Sequence, residues 1–551
     1  MLKSQEMRKL APEMDPLRIG TGWKKEDLEK PQIMVESTYG DSHPGSGHLN
    51  LLVEEVRKGV AEAGGFGARY FCTDICDGES QGTDGINYSL ASREMIANMI
   101  EIHANATPFD GGVYLSSCDK GMPGNLIGLA RVDIPAVVVP GGTMNAGPEM
   151  LTLEQLGMYS AKFERGEIDE EKLDWAKCNA CPSCGACSFI GTASTMQIMA
   201  EALGLALPGS ALMPATSPDL LAYAREAGRQ AVKLAQMEHM RPSDLVTKES
   251  FENAILVHAA ISGSTNCLLH IPAIAHEFGH VNQIRPGLKW VSTTEVTNNV
   301  YSVCARYKFY RENMPLEHER CNDGNDNNVR GGRFNSYLNY GIIKGEQWLC
   351  QKGQDNMDPS KYPYGGDHFV KLCPLWQLLL YYREIVGGEK RDWYGDVAEI
   401  VRNTDESQLT NGQLQLNFMR NTMDVVKEDL TDFFIKAGML KPIDKELDDY
   451  ARGQMTITQT DCDELVKYAS KYSKPATPVL YYLSANSQKA FKDKLAVEGT
   501  YNEGVKVRNN GWIVIDHDVW KNAVVFETYQ GDELKYAAIV GTDSPDLSET
   551  K

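Results

Sequence analysis

The sequence lacks an uninterrupted apolar stretch long enough to cross a membrane, which takes about 20 residues. The apolar run over residues 372–382 is too short and is followed by charged residues. Residues 1–20 also lack the apolar segment that a signal peptide requires. We therefore expect a soluble protein without a membrane partner, and the cytoplasm is its default compartment.

Basic residues are in the minority: 55 Lys and Arg stand against 75 Asp and Glu, and the formal net charge is −20. Binding to a phosphate backbone needs concentrated Lys and Arg, so nucleic acid is not an expected partner. The composition, 42% hydrophobic and 24% charged, is ordinary for globular proteins. A chain of 551 residues predicts about two to four domains, and a homodimer remains open.

The chain also has no internal repeat, no low-complexity linker and no Pro/Gly/Ser spacer between its two halves. Of its 13 cysteines, 8 lie at or before Cys267, so the halves differ in chemistry. In a reducing compartment these residues are expected to be free thiols or metal ligands rather than disulfides.

Helix and strand patterns alternate over residues 50–280, with strands expected at 68–73, 112–117 and 134–140. Polar and Gly-rich turns follow these strands, where open α/β sheets place ligands. The sequence thus predicts an α/β fold with an open parallel sheet over 1–275, a mostly helical region over 276–470, and a small β-rich region over 471–551. In that last region, strands are expected at 478–483, 511–516, 523–528 and 536–540.

A dense, ordered series of motifs occupies the front half. It includes Cys76-Asp77-Gly78, Gln81-Gly82-Thr83, Cys118-Asp119-Lys120, Gly141-Gly142-Thr143-Met144, Gly191-Thr192-Ala193 and Ser262-Gly263-Ser264-Thr265-Asn266. Over roughly residues 30–279 the chain thereby resembles the dihydroxy-acid and sugar-acid (phosphogluconate, xylonate) dehydratase family. The resemblance implies a hydro-lyase that removes water from a 2,3-dihydroxy acid to give a 2-keto acid, with an iron–sulfur cluster and Mg²⁺ as cofactors.

The resemblance assigns roles to particular residues. Cys118 and Cys187 match cluster ligands, and Cys76 is the nearest replacement for a first cluster cysteine that has no counterpart here. The cluster type, 2Fe–2S or 4Fe–4S, stays open. Asp77 and Asp119 match magnesium ligands, and Lys120 beside them is a candidate metal-site and catalytic residue.

Other interpretations of these residues compete with the family assignment. The run Cys178, Cys181, Cys184 and Cys187 has a spacing that could hold a cluster or zinc by itself. His43 and His48 fit turn and cap chemistry better than metal binding, and lone thiols such as Cys72 and Cys267 fit a buried core. The carboxyl domain that supplies a Ser base and a magnesium-binding Glu in relatives is expected to be missing, so the dehydratase would be incomplete.

The segment His276-Glu277-Phe278-Gly279-His280 predicts a different chemistry. Two His four positions apart share one helical face and can bind Zn²⁺, while Glu277 can take a proton from the metal-bound water. Glu295 is the expected third ligand. With Pro374-Leu375-Trp376-Gln377 and Glu527-Thr528-Tyr529, these residues make 276–551 resemble the enhancin-like, mucin-degrading zinc metallopeptidases.

Three functions from different classes therefore remain open. The first is a hydro-lyase acting on a small polyhydroxy acid, and the second is a zinc metallopeptidase acting on a glycoprotein. The third is an inactive composite of two partial enzymes, joined at the short His-Glu-Phe-Gly segment. Whether the chain is an enzyme at all is left open by the sequence.

Overall fold

The structure is a computed structural model that describes residues 2–318, 321–322, 328–329, 332–345, 347–348, 368–449, 451–476, 480–507 and 513–540. It separates into two compact units, residues 1–281 and 282–551. Each unit has its own hydrophobic core. Within the described part of the chain, no helix combines the length and the apolarity needed to span a membrane.

A four-stranded parallel sheet organises residues 1–281. Its strands are β1 (Gln32–Ser37), β2 (Phe66–Phe71), β3 (Gly111–Ser116) and β4 (Ala136–Pro140), in the spatial order β2–β1–β3–β4. Strands β1, β3 and β4 are buried along their whole length, whereas the edge strand β2 is partly exposed. Continuous burial is what strands covered on both faces require. The predicted open parallel-sheet fold is confirmed.

Helices surround this sheet. Two of them, Leu49–Glu62 and Pro218–Leu234, pack together almost backbone to backbone: a Cβ on Gly59 would lie 1.8 Å from the carbonyl oxygen of Arg225. Glycine is therefore required at that crossing, since a side chain would clash. The other helices are Lys3–Leu10, Met14–Gly20, Asp77–Ser80, Ser89–Ala106, Gly121–Val132, Leu156–Glu164, Glu170–Asn179, Thr192–Ala202, Pro242–Leu245, Lys248–Ala260 and Cys267–Asn282.

Residues 282–551 are mostly helical around a core rich in aromatic side chains, among them the fully buried Trp290, Trp348 and Trp393. Large rings contribute much buried apolar area per residue, which stabilises such a core. The helices here are Asn299–Tyr310, Pro315–His318, Gly332–Ser336, Tyr337–Ile343, Cys373–Leu380, Tyr381–Val386, Trp393–Arg402, Asn411–Val426, Thr431–Lys436, Gln459–Ala469 and Gln488–Asp493.

Short antiparallel strand pairs complete this unit, which confirms the helical region followed by a small β-rich end. They are Ile443–Asp449 with Ala451–Ile457, Val505–Val507 with Ile513–Ile515, Val525–Gln530 with Glu533–Ile539, and Cys321–Asn322 with Asn328–Val329. The strand expected at 478–483 is wrong for the described part of it, because Leu480–Tyr482 forms a 3-10 turn. The carbonyl groups of Tyr481 and Leu483 accept hydrogen bonds from Gln377. Residues 478–479 and 511–512 lie outside the described residues.

Candidate functional site

Residues with metal-binding and acid–base chemistry follow three neighbouring strands of the parallel sheet. The loops after β1, β2 and β3 carry, in turn, His43; Asp74, Cys76 and Asp77; and Cys118, Asp119 and Lys120. Because these strands are parallel and adjacent, their carboxyl ends meet at one edge of the sheet. This edge is where open α/β folds bind ligands.

Three of these residues form a compact group of donor atoms. One ligand atom each from His43, Cys76 and Cys118 lies within 4.8 Å of the others. His43 and Cys118 are buried, and Cys76 is half-buried. One imidazole nitrogen and two sulfurs suit zinc or an iron–sulfur cluster, so the donor set fits a thiophilic metal group.

The pKa values of the two thiols in this group are shifted in opposite directions. A hydrogen bond from the Cys118 thiol lowers the pKa of Cys76, and backbone N–H groups of Glu79 and Gly78 act in the same direction. The same hydrogen bond raises the pKa of Cys118, with burial adding to it. The thiolate is the form that binds metals, so a metal group at this place would meet an ionised Cys76 and would require Cys118 to lose its proton.

Cys187, the third expected cluster ligand, lies outside that compact group. Its loop is nonetheless attached to the same edge of the sheet, because the Gly185 N–H donates to the Pro44 carbonyl and the Ala186 N–H to the Gly142 carbonyl. Burial first, and then the nearby Cys76, Cys181 and Asp119, raise the pKa of Cys187 to about 12.

The four-cysteine run does not converge on a single-ion site. Among the residues that the structure describes, no member of this run belongs to a group of three or more ligand atoms within 4.8 Å of one another. Cys178 ends up in the helix Glu170–Asn179, whereas Cys187 precedes the helix Thr192–Ala202. Cys178 and Cys181 are exposed to solvent.

The expected magnesium ligands converge on a lysine. Lys120 Nζ is 2.6 Å from Asp77 Oδ2 and 3.2 Å from Asp119 Oδ2, and the Lys120 side chain is buried. Ser89 Oγ donates to the other oxygen of Asp77. Burial raises the pKa of Asp119, with the Asp77 carboxylate adding to it and Lys120 opposing it. Two carboxylates around one positive charge fit a small oxygen-preferring cation such as Mg²⁺.

His270 lies in the helix Cys267–Asn282. It is fully buried, and its Nδ1 lies 2.9 Å from Arg93 Nη1, so it accepts that hydrogen bond and carries its own proton on Nε2. Burial, with Arg93 and Lys120, lowers the pKa of His270 to about 3. His270 is therefore a neutral imidazole within electrostatic range of Lys120 and Asp77.

The expected zinc ligands His276 and His280 lie side by side. Both belong to the compact unit of residues 1–281, whereas Glu295, the expected third ligand, belongs to that of residues 282–551. The two His occupy one face of the helix Cys267–Asn282, with ring centroids 4.6 Å apart. Two imidazoles on one helical face are donors that fit zinc.

Glu277, the expected general base, forms an ion pair with Arg131. Arg131 Nη2 donates to Glu277 Oε1 at 2.8 Å, and the two side chains are 19% and 12% exposed. Arg131 lies in the last turn of the helix Gly121–Val132. Arg131 therefore occupies one carboxylate oxygen of the expected base.

Replacing Arg131 with alanine is expected to lower the free energy of unfolding by about 1.5–3 kcal/mol, the range for hydrogen bonds to charged groups. The cause is the carboxylate of Glu277, which stays largely buried after its cation is removed. Urea unfolding followed by circular dichroism measures the change. Arg165→Ala is the matched control, since its pair with Glu167 is exposed and should contribute within about 0.5 kcal/mol. Equal losses in both variants would contradict the assignment.

Two protein families match different parts of the chain. Residues 30–305 match the dihydroxy-acid/6-phosphogluconate dehydratase N-terminal family, and residues 272–438 match peptidase M60, enhancin and enhancin-like. The matches overlap over residues 272–305, which contain the His276–His280 segment. The expected composite of two family patterns is confirmed.

Individual relatives follow the same division. The chain is 42% identical to a dihydroxy-acid dehydratase of Halothermothrix orenii and 43% identical to one of Moorella thermoacetica, each over 261 residues. These alignments cover 47% of this chain and 47% of each relative, so about half the length of those enzymes has a counterpart here.

Among solved structures, the chain is similar to a metallopeptidase in complex with Tn antigen. The sequence identity is 20%, the match covers 55% of this chain and 52% of that chain, and the TM-score is 0.35. A metallopeptidase from Bacteroides thetaiotaomicron is similar at 18% identity, with 55% and 48% covered and a TM-score of 0.35.

Proposed function

Through residues 30–305 the chain belongs to the dihydroxy-acid/6-phosphogluconate dehydratase family, and we propose that this part holds the iron–sulfur and magnesium centre of a hydro-lyase. Its substrate class is a 2,3-dihydroxy acid and its product class a 2-keto acid. The observation that carries the proposal is the group of His43, Cys76 and Cys118 at the same sheet edge as Lys120 with its two carboxylates.

Cys76 and Cys118 are the proposed thiolates of the cluster, with Cys187 as a third. When bound, such a cluster supplies an iron that acts as a Lewis acid on a departing hydroxyl. Cys76 contributes an ionised sulfur at the start, since its pKa is lowered by the Cys118 hydrogen bond. Cys118 is buried, which keeps water away from the sulfur that would face the metal group.

Asp77 and Asp119 are the proposed magnesium ligands, and Ser89 fixes the orientation of Asp77 through its hydrogen bond. In the structure, the ammonium of Lys120 donates a hydrogen bond to each of these two carboxylates. Asp77 and Asp119 would hold the divalent cation, which would supply positive charge for the substrate oxygens. With both carboxylates engaged in this way, Nζ of Lys120 would lose its two partners. Lys120 is then able to hold or move a proton at Nζ, next to the place where the substrate binds.

We propose that residues 30–305 by themselves turn over little substrate, because the aligned residues correspond to only 47% of each dehydratase relative. From residue 282 onwards a second compact unit begins, and residues 272–438 follow the M60 pattern. A centre without its proton-abstracting base binds the substrate but does not complete the elimination. The three-part division into 1–275, 276–470 and 471–551 stays a prediction.

Cluster-loaded protein with Mg²⁺ is the material for the test. Adding 2,3-dihydroxyisovalerate, xylonate or gluconate is expected to change the visible absorption of the cluster without forming a 2-keto acid. Asp77→Asn should abolish that change, whereas Asp84→Asn, at an exposed residue of the neighbouring turn, should keep it. A normal rate of keto-acid formation would overturn the incompleteness. An absorption unaffected by all three acids would overturn the substrate class.

A second candidate function is a zinc metallopeptidase that acts on a glycoprotein. The two imidazoles of His276 and His280 on one face of a helix favour it. The ion pair between Arg131 and Glu277 works against it, because the proposed base must be free to take a proton from metal-bound water. A composite with neither activity is the remaining hypothesis, and it is supported only if both turnover assays are negative.

A further inference from the structure

We propose that His43 binds the cluster directly through Nδ1, so that an imidazole and the thiolates of Cys76 and Cys118 hold the metal group together. This inference rests on the proposed function, since it specifies how the same centre is held. His43 is not a member of the cysteine motifs, and its spacing of 33 residues from Cys76 gives no ligand signature.

The hydrogen bonds of His43 determine which nitrogen is available. Its Nε2 lies 3.0 Å from Asp74 Oδ1, and the side chains of both residues are essentially inaccessible to solvent. A carboxylate only accepts, so the proton of the neutral ring sits on Nε2 and the lone pair on Nδ1. Nδ1 is buried and has no hydrogen-bond partner within the described structure. A buried nitrogen without a partner is costly unless something binds it.

The free nitrogen faces the sulfur of Cys118 across an open gap. A Cβ placed on Gly45 would lie 3.0 Å from His43 Nδ1 and 3.1 Å from Cys118 Sγ. Glycine at position 45 therefore leaves space between the nitrogen and the sulfur that any other residue would fill. The ligand atoms of His43, Cys76 and Cys118 also lie within 4.8 Å of one another. The nitrogen of His43 and the sulfur of Cys118 therefore surround one point.

Asp74 acts as a positioning residue for this imidazole. Ser46 Oγ donates to the same oxygen of Asp74 at 2.5 Å, which fixes the carboxylate, and the N–H groups of Ser46 and Gly47 donate to the carbonyl of His43. Metal-binding histidines are usually oriented by a carboxylate on their second nitrogen, which also makes the ring a stronger donor. A purely structural His43 would need only the Asp74 contact and would not require the unfilled space at Gly45.

An imidazole in place of a thiolate changes the charge of the centre. It removes one negative charge from the metal group, and such substitutions raise the reduction potential of iron–sulfur clusters. The mixed ligation therefore predicts a cluster that is easier to reduce in this chain than in a variant with cysteine at position 43.

Pulsed EPR of the reduced, anaerobically reconstituted full chain tests this directly. We expect a strong nitrogen coupling from a bound imidazole, and the coupling should shift when the protein is labelled with ¹⁵N-histidine, which needs no substitution. His43→Cys should keep the colour, lose the coupling and have a lower reduction potential. Asp74→Asn should keep the coupling and raise the potential, because the imidazole becomes a weaker donor.

His48→Gln is the matched control, since His48 is also buried on the same loop but donates through Nε2 to the Gly141 carbonyl. It should leave the coupling and the potential unchanged. A cluster without strong nitrogen coupling, or with the same coupling in His43→Cys, would overturn the inference and leave the proposed function standing. Protein that takes up no iron and sulfide at all would overturn both.

Discussion

Serine in place of Cys118 is expected to bleach a protein that is brown when it is purified without oxygen. Cys118 is buried, its sulfur borders the gap at Gly45, and its thiol donates to Cys76. A serine hydroxyl at this position is a poor replacement for a thiolate towards iron. Loss of an outer partner alone costs about 10–100-fold in metal affinity, so loss of a ligand should cost more. Iron and acid-labile sulfide per chain are the quantities to measure.

Cys72→Ser is the matched control for this experiment. Cys72 follows the same strand as Cys76 and is half-buried, but burial raises its pKa to about 11, so it stays a thiol and lies outside the convergent group. Its replacement should leave the colour unchanged. A wild-type protein that is colourless after anaerobic reconstitution, or equal bleaching in both variants, would contradict the proposed cluster.

The sequence predicts the sheet and the thiolate side of this centre well, for a physical reason. Strand β3 is a continuous buried run, so the residues after its last position must emerge at the carboxyl edge, which places Cys118 and Lys120. The same reasoning places Cys76 after β2. Parallel pairing of neighbouring strands then brings the two loops together without any knowledge of their conformation.

His43 could not be predicted in this way, because its role depends on a tertiary contact. The ring is oriented towards the thiols because Asp74, on another loop, accepts a hydrogen bond from its Nε2–H, and because Gly45 leaves the gap open. Neither condition produces a local sequence signal. The outcome of the four-cysteine run has a similar cause, since a helix takes up Cys178 while the loop with Cys187 docks against Pro44.

Prediction from sequence reaches the same limit at the His276–His280 segment. Helical spacing alone predicts that His276 and His280 share a face, and the structure has them in one helix. The partner of Glu277 could not be predicted, because Arg131 lies 146 residues earlier on another helix. A motif within one helix predicts which side chains share a face. It does not predict which distant side chain pairs with the expected base.

Alanine in place of His280 is expected to reduce bound zinc from one ion per chain to none at micromolar zinc. His280 supplies one of the two imidazoles on the helix Cys267–Asn282, and a site that loses one of them does not hold zinc against water. Glu277→Gln should keep the zinc, because Glu277 pairs with Arg131 and is not one of the expected zinc ligands.

His258→Ala is the matched control. The Nε2 of His258 donates to the Ser264 carbonyl at 3.0 Å, so this variant should retain zinc. Zinc content after dialysis, measured by mass spectrometry, separates the variants. Full zinc in His280→Ala would show that the two-histidine face is only a feature of the dehydratase helix, and the peptidase hypothesis would lose its metal.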